Sequence, residues 1–326
     1  MAVYTEVSDQ ELTAFLEHYE IGALLSFKGI AEGVQNSNFL LHTDAGTFIL
    51  TLFEKQVHAE DLPFFVGLMD HLSAKGINCP KPVHAKNGKA LGTLAGSPAL
   101  IVTFLDGLSL SDPREEHCEM LGEAMAKMHR AGEGFNIHRD NALALADWRP
   151  LYQKCGANVD NIHPGLSRLI EEELDFLEQN WPDQLPTGII HADMFPDNVF
   201  FLGGRFSGLI DFYFSCNDIL AYDVAIGINA WCFDTDNSYN PAKAARLLKG
   251  YQSVRKLSNK EIESFPVLVR GAAIRFLLTR VFDWINTPKT ALVIPKNPKE
   301  YINKLNFYRT ITNYDVYGIA EYAIYK

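Results

Sequence analysis

Gly203-Gly204 lies between two apolar runs, Val199-Phe200-Phe201-Leu202 and Phe206 to Ile210, and this pattern constrains the chain more than any other. Two adjacent glycines between β-forming runs specify a tight hairpin, because a two-residue turn that matches strand twist needs positive φ at both positions. Ahead of it stand Ile189-Ile190 and then His191-Ala192-Asp193-Met194-Phe195-Pro196-Asp197-Asn198; behind it stands Asp211-Phe212. Asp193 and Asn198 therefore lie in the loop that opens the hairpin. Asp211 lies at the far end of its second strand.

That layout suits phosphoryl transfer. A carboxylate in a rigid loop takes the proton of an incoming hydroxyl, while an amide oxygen and a second carboxylate hold Mg²⁺ against the phosphates. Magnesium keeps water and phosphate for most of its ligands, so Asn198 and Asp211 suffice. The plainer reading is a polar hairpin with Asn and Asp as turn formers. Four polar residues at fixed spacing between the correct strands weigh against it.

The order His-x-Asp-x-x-x-x-Asn followed by Asp-Phe resembles the catalytic and metal-binding loops of the protein kinase-like superfamily, in its small-molecule branch. Aminoglycoside phosphotransferases and choline kinases belong to that branch. The resemblance implies an α+β, bilobal fold: an N-terminal lobe with a five-stranded antiparallel sheet and one main crossing helix, and a larger, mostly helical C-terminal lobe. It places the lobes at 1–105, for nucleotide binding, and 106–326, for catalysis and substrate. It implies Asp193 as base, His191 as a brace for the loop, and Asn198 and Asp211 as magnesium ligands.

A chain of 326 residues is long for one core, which agrees with two lobes. The charge balance of 29 basic against 40 acidic residues leaves −11, which argues against nucleic acid or an anionic membrane surface as partner. Cys79, Cys118, Cys155, Cys216 and Cys232 are scattered without a Cys-x-x-Cys pair, so free thiols in a reducing, cytoplasmic setting are expected. The start of the chain lacks the basic-then-apolar pattern of a signal peptide, and no apolar run reaches the roughly 18 residues that span a membrane.

Ser8-Asp9-Gln10-Glu11 is a capping box that opens an amphipathic helix. Strands are expected at Ala23 to Lys28, Asn38 to Thr43, Thr47 to Phe53, Ala90 to Leu94 and Ala99 to Leu105, with a helix from about Ala59 to Lys75. The Gly-containing loop from Gly29 to Asn38 can lie over nucleotide phosphates, with Asn36 and Ser37 as its polar side chains. The third strand of kinases carries a lysine; here Thr51 stands at that position, with Lys55 as the candidate charge and Glu60 as its candidate partner. Backbone groups near Thr103 and Leu105 occupy the hinge position that would bond adenine.

In the second lobe Asp112 is the expected cap of a helix whose last turn holds His129, and 132–165 read as an irregular insertion over the substrate site. A helix is expected from Ser167 to Asn180, and Asp218 reads as the cap of another through about Cys232. Asp223 would brace the His191 loop. Phe265 to Trp284 is a strongly apolar helix carrying Arg270, Arg275 and Arg280 at spacings of five, hence on different faces. Structural pairing is the expected role of each, with one or two able to reach a substrate carboxylate.

Four stretches together narrow the resemblance: Gln35-Asn36-Ser37-Asn38-Phe39, Phe48 to Glu54 with its unusual Thr51, Asp61-Leu62-Pro63-Phe64-Phe65, and Asp211-Phe212-Tyr213-Phe214. They are similar to the bacterial homoserine kinases of this fold. The implied reaction moves the γ-phosphoryl group of ATP, with Mg²⁺, to the hydroxyl of L-homoserine. Tyr213 and Arg280 are the candidates for the amino-acid end. Two alternatives stand beside it: a kinase of the same fold for choline, ethanolamine, a methylthio-sugar or an aminoglycoside, and a pseudokinase that holds nucleotide without chemistry.

Overall fold

The capping box at the start forms as its residues require. Glu11 N–H donates to Ser8 Oγ while Ser8 N–H donates to the Glu11 carboxylate at 3.1 Å, and helix α1 runs Asp9–Leu16. The computed structural model describes residues 5–30, 36–54, 58–288, 294–311 and 313–318. Residues 31–35 of the expected loop between the first two strands, and Lys55, lie outside these described residues. The chain divides into two compact units, one running to Asp106 and the other starting at Gly107.

The first unit holds strands β1 (Leu24–Gly29), β2 (Ser37–Thr43), β3 (Gly46–Leu52), β4 (Leu91–Leu94) and β5 (Ser97–Thr103). They form one antiparallel sheet in the order β1-β2-β3-β5-β4. Strand alternation sends Phe39, Leu41, Leu50, Leu52 and Ile101 to one face, where they bury against Leu12, Phe15 and Leu16 of α1. Helix α2 (Leu62–Ala74) follows a short 3₁₀ turn at Ala59–Asp61 and buries Phe64, Phe65, Leu68 and Leu72. Strand β5 stops at Thr103, two residues before the expected end; Thr103 N–H donates to Lys81 O at 2.9 Å and Phe104 N–H to Thr47 O at 3.3 Å.

The second unit is built from α3 (Glu115–Ala131), α4 (Leu145–Cys155), α5 (Leu166–Asn180), α6 (Leu220–Trp231), α7 (Pro241–Val254), α8 (Asn259–Asn286) and α9 (Lys299–Arg309). Two small antiparallel pairs sit among them. Strand β6 (Thr187–Ile190) pairs with β9 (Cys216–Ile219), and β7 (Val199–Leu202) with β8 (Arg205–Leu209). Gly203 and Gly204 turn the hairpin with φ of 57° and 76°, the positive values that a tight primed turn needs. Helices α3 and α7 cross closely. A Cβ on Gly122 would lie 2.0 Å from Leu247 O, and one on Gly250 would lie 1.9 Å from Glu119 O.

Three expectations are corrected here. Helix α3 starts after Arg114, not Asp112: Arg114 N–H donates to His117 Nδ1 at 3.0 Å, so an imidazole does the work that a glutamate does in a capping box. The supposedly irregular 132–165 contains α4. Asp147 accepts Ala144 N–H at 3.2 Å, and the fully buried Trp148 donates to Leu143 O at 2.8 Å. Burying that indole outweighs the hydrogen bond that Pro150 removes from the helix. Finally, Asp218 caps no helix. Residues 216–219 are drawn into β9 because β6 needs a pairing partner, and the Asp218 carboxylate takes Asn141 Nδ2 at 2.6 Å.

Candidate active site

The loop His191–Asn198 is strung between β6 and β7, and Asp211 follows β8 directly. Ile210 N–H donates to Asn198 O at 3.0 Å and closes the base of the arrangement. The loop is irregular backbone in a buried place, so each polar main-chain group needs a partner. Side chains supply them. Asp223 of α6 accepts His191 N–H at 2.9 Å and Ala192 N–H at 2.8 Å. Arg275 of α8 donates to Ala192 O at 2.7 Å, and Trp231 Nε1 donates to Met194 O at 2.7 Å. Ala192 itself is left-handed, φ 63°, a conformation that costs a non-glycine residue about 1–2 kcal/mol.

Behind the loop runs a buried relay. His129 Nε2 lies 3.0 Å from Asp223 Oδ2 and its Nδ1 lies 2.8 Å from Tyr251 Oη, which in turn accepts Arg255 at 3.2 Å. Burial would raise the Asp223 carboxyl, but the hydrogen bond and charge of His129 outweigh it and hold it below the usual range. Sequence reading treated His129 as a helix-end residue; it is 2% exposed and packs under the loop. No local signal marks this, since the partner Asp223 is far away in the chain.

His191 is fully buried. Its Nε2 lies 3.0 Å from Ile210 O, a carbonyl that can only accept, so Nε2 carries the hydrogen. Nδ1 is then an acceptor, and it is buried with no partner. Burial lowers the affinity of the ring for a second proton, against the pull of Asp223. The neutral imidazole, 4.9 Å from the Phe212 ring, braces the hairpin.

Asn198 and Asp193 are joined. Asn198 Nδ2 donates to Asp193 O at 2.8 Å and to Asp193 Oδ2 at 3.0 Å. Both amide hydrogens are thereby used, which fixes the orientation of the amide and leaves Oδ1 for another group. Burial pushes the Asp193 carboxyl up, while the charge of Arg275 foremost, then Lys296 and the Asn198 bond, pull it back. Lys296, which sequence reading overlooked, stands 3.6 Å from Asp197 and 5.3 Å from the Phe195 ring centre.

Asp211 is left-handed as well, φ 64°. Its surface is open to solvent, yet dense protein surrounds the rest of it. That crowding and the charge of Asp193 push its carboxyl up to about 7, against a hydrogen bond from Tyr213 N–H. A hard divalent cation fits this donor set: an amide oxygen with its orientation fixed, and carboxylates whose mutual repulsion a positive charge relieves. No cluster of three or more His, Cys, Asp or Glu side chains occurs among the described residues, so such an ion would draw on Asn198 and on non-protein oxygens.

Several of the remaining sequence candidates have local hydrogen-bond partners. Ser37 Oγ donates to Glu54 Oε1 at 2.6 Å, and Asn36 Oδ1 accepts Glu54 N–H at 3.3 Å, so both tie the start of β2 to the end of β3. Thr51 Oγ donates to Asn38 Oδ1 at 2.8 Å across the paired strands. Thr103 Oγ accepts Lys81 N–H at 3.0 Å, Leu105 follows the end of β5, and Glu60 is exposed in its 3₁₀ turn. Tyr213 lies in the turn after Asp211. Arg280 pairs with Glu300 at 2.5 Å and stacks over Tyr301 at 4.4 Å.

Comparison with known proteins gives consistent matches. Residues 26–257 match the model of a family described as the phosphotransferase enzyme family. A homoserine kinase of Brucella anthropi is 57% identical, covering 98% of each chain, and one of Rhizobium meliloti is 56% identical with the same coverage. Among solved structures, an amicoumacin kinase in complex with AMP-PNP and Ca²⁺ superposes with a TM-score of 0.68 at 14% identity, covering 95% of this chain and 93% of the other.

Proposed function

The chain belongs to the phosphotransferase enzyme family, in its homoserine kinase group, and on that footing we propose that it carries the γ-phosphoryl group of ATP to the hydroxyl of L-homoserine. The product is O-phospho-L-homoserine, on the route to threonine. The observation that carries the substrate is the likeness to homoserine kinases along nearly the whole chain. The paired Asp193 and Asn198 beside Asp211 support the chemistry.

In this reading Asp193 accepts the proton of the acceptor hydroxyl as its oxygen forms a bond to the γ-phosphorus and the bond to ADP breaks. Asn198 Oδ1 and Asp211 would hold Mg²⁺, which supplies neutralisation of phosphate charge when bound. His191 holds the loop and exchanges no proton. Asn36, Ser37, Lys55 and the stretch Thr103 to Leu105 are proposed for the nucleotide, and Tyr213 and Arg280 for the amino-acid end. All five cysteines are free and buried, in keeping with the cytoplasm, where we propose the reaction takes place. No helix among the described residues is long and apolar enough to cross a membrane.

The test is ADP release in a coupled assay with homoserine, choline, ethanolamine, a methylthio-sugar and an aminoglycoside as acceptors. Homoserine is expected to give the highest kcat/KM. No turnover above background with homoserine rejects the substrate.

A further inference from the structure

The two residues flanking Arg275 at five positions along α8 each have a carboxylate. Arg270 meets Glu173 at 2.6 Å, and Arg280 meets Glu300. Arg275 differs. It is 2% exposed, its Nη1 donates to Ala192 O, and its Nε has no hydrogen-bond partner among the described residues. Among the described residues no carboxylate comes within ion-pair distance of it, though its charge reaches Asp193, and the guanidinium rests 4.1 Å from the Phe276 ring centre and 5.5 Å from that of Phe214. Its charge is the foremost of those acting on Asp193, the residue after the peptide that its Nη1 grips.

What Arg275 does hold is one peptide. Ala192 is left-handed and directly precedes Asp193. Asp223 grips its N–H from α6, and Arg275 grips its carbonyl from α8, so the strained residue is pinned from both ends by charged side chains of two helices. Such strain persists only where surrounding structure over-determines it, and it gathers at functional sites. We propose that Arg275 is a positioning residue for phosphoryl transfer: by fixing the Ala192 carbonyl opposite Asp223, it keeps the Asp193 carboxylate aimed at the acceptor. This rests on the reading of Asp193 as the base.

The test is a cycle of Arg275→Met, Ala192→Gly and the double variant. Glycine takes the left-handed conformation without strain, so it lessens the need for the grip. Per folded molecule, Arg275→Met is expected to lower kcat about 10- to 100-fold with KM for ATP and acceptor within about 2-fold, as misplacement of a reacting group does. The double variant is expected to exceed Arg275→Met in kcat by about 3-fold or more, a coupling that distant, independent sites do not show. A kcat equal to that of the parent, or no recovery in the double variant, overturns the role. If Arg275→Met does not fold, Arg275→Lys runs through the same cycle under the same criteria. Each ratio is also taken on ATP hydrolysis by water, which needs no acceptor. A wrong acceptor therefore fails only the homoserine assay, whereas a wrong role for Arg275 fails the hydrolysis ratios too.

Discussion

The amide of Asn198 donates to both the carbonyl oxygen and the carboxylate of Asp193, at 2.8 and 3.0 Å. One side chain therefore orients the proposed base and keeps its oxygen for the proposed magnesium ion. Asn198→Ala is expected to raise the magnesium concentration for half-maximal rate about 10- to 100-fold, the usual scale for loss of a residue that supports a metal site. Its kcat should fall as well. Titration of activity with MgCl₂ checks this, and an unchanged magnesium dependence removes Asn198 from the site.

Asp193→Ala is expected to lower kcat about 10²- to 10⁴-fold, the scale of a lost general base. Binding of Mg-ATP, followed by calorimetry, should change little. Turnover close to that of the parent would rule out Asp193 as the base.

Asp211 supplies a pH signature of stability. Crowding by protein and the charge of Asp193 push its carboxyl from the ordinary 3.8 up to about 7. The folded state therefore binds the proton more tightly than the unfolded one, so this group costs stability progressively as pH rises from about 4 to about 7. In EDTA, Asp211→Asn should gain stability over the parent across that interval and hold the gain above it, while losing activity. Denaturant melts at pH 5 and pH 8 decide the matter: an equal difference at both values contradicts it.

Asp223 has the opposite sign. Held below 3.8 by His129, its carboxylate contributes stability that is fully present above about pH 4 and is lost as pH falls through the lower folded value. Asp223→Asn leaves one of the buried donors of His191 or Ala192 without an acceptor, a cost of about 1–3 kcal/mol. That cost should stay level from pH 5 to pH 8. A strong slope of the difference in that range would show that another group titrates with the network.

Gly250→Ala tests the crossing of α3 and α7. The added Cβ would meet Glu119 O at 1.9 Å, backbone against backbone, so a helix must move. A loss of about 1–3 kcal/mol is expected from such overpacking. An unaltered denaturation midpoint would mean that the two helices slide apart freely.

The local patterns were legible because their causes are local. A glycine pair needs no distant partner to demand a hairpin, and the capping box at Ser8 closes within four residues. The polar spacing around that hairpin offers Asp193, Asn198 and Asp211 as candidates, and the first two are bonded within one loop. The errors have one origin. Helix α4 exists because Trp148 is buried by other elements, and β9 because β6 requires a partner. Neither requirement is written in the residues that obey it.

Sequence by itself determined the glycine-turned hairpin, the strands of the first unit and the chemistry on offer at one hairpin. Asp223 was an expected brace; tertiary structure alone added His129 behind it, 94 positions away, and Arg275 on Ala192, 83 positions away. Hydrogen bonds and charge act through space within a few ångströms, whereas sequence periodicity reports only which face of an element is apolar. The partners of a buried polar group are therefore set by packing, after the helices have found their neighbours.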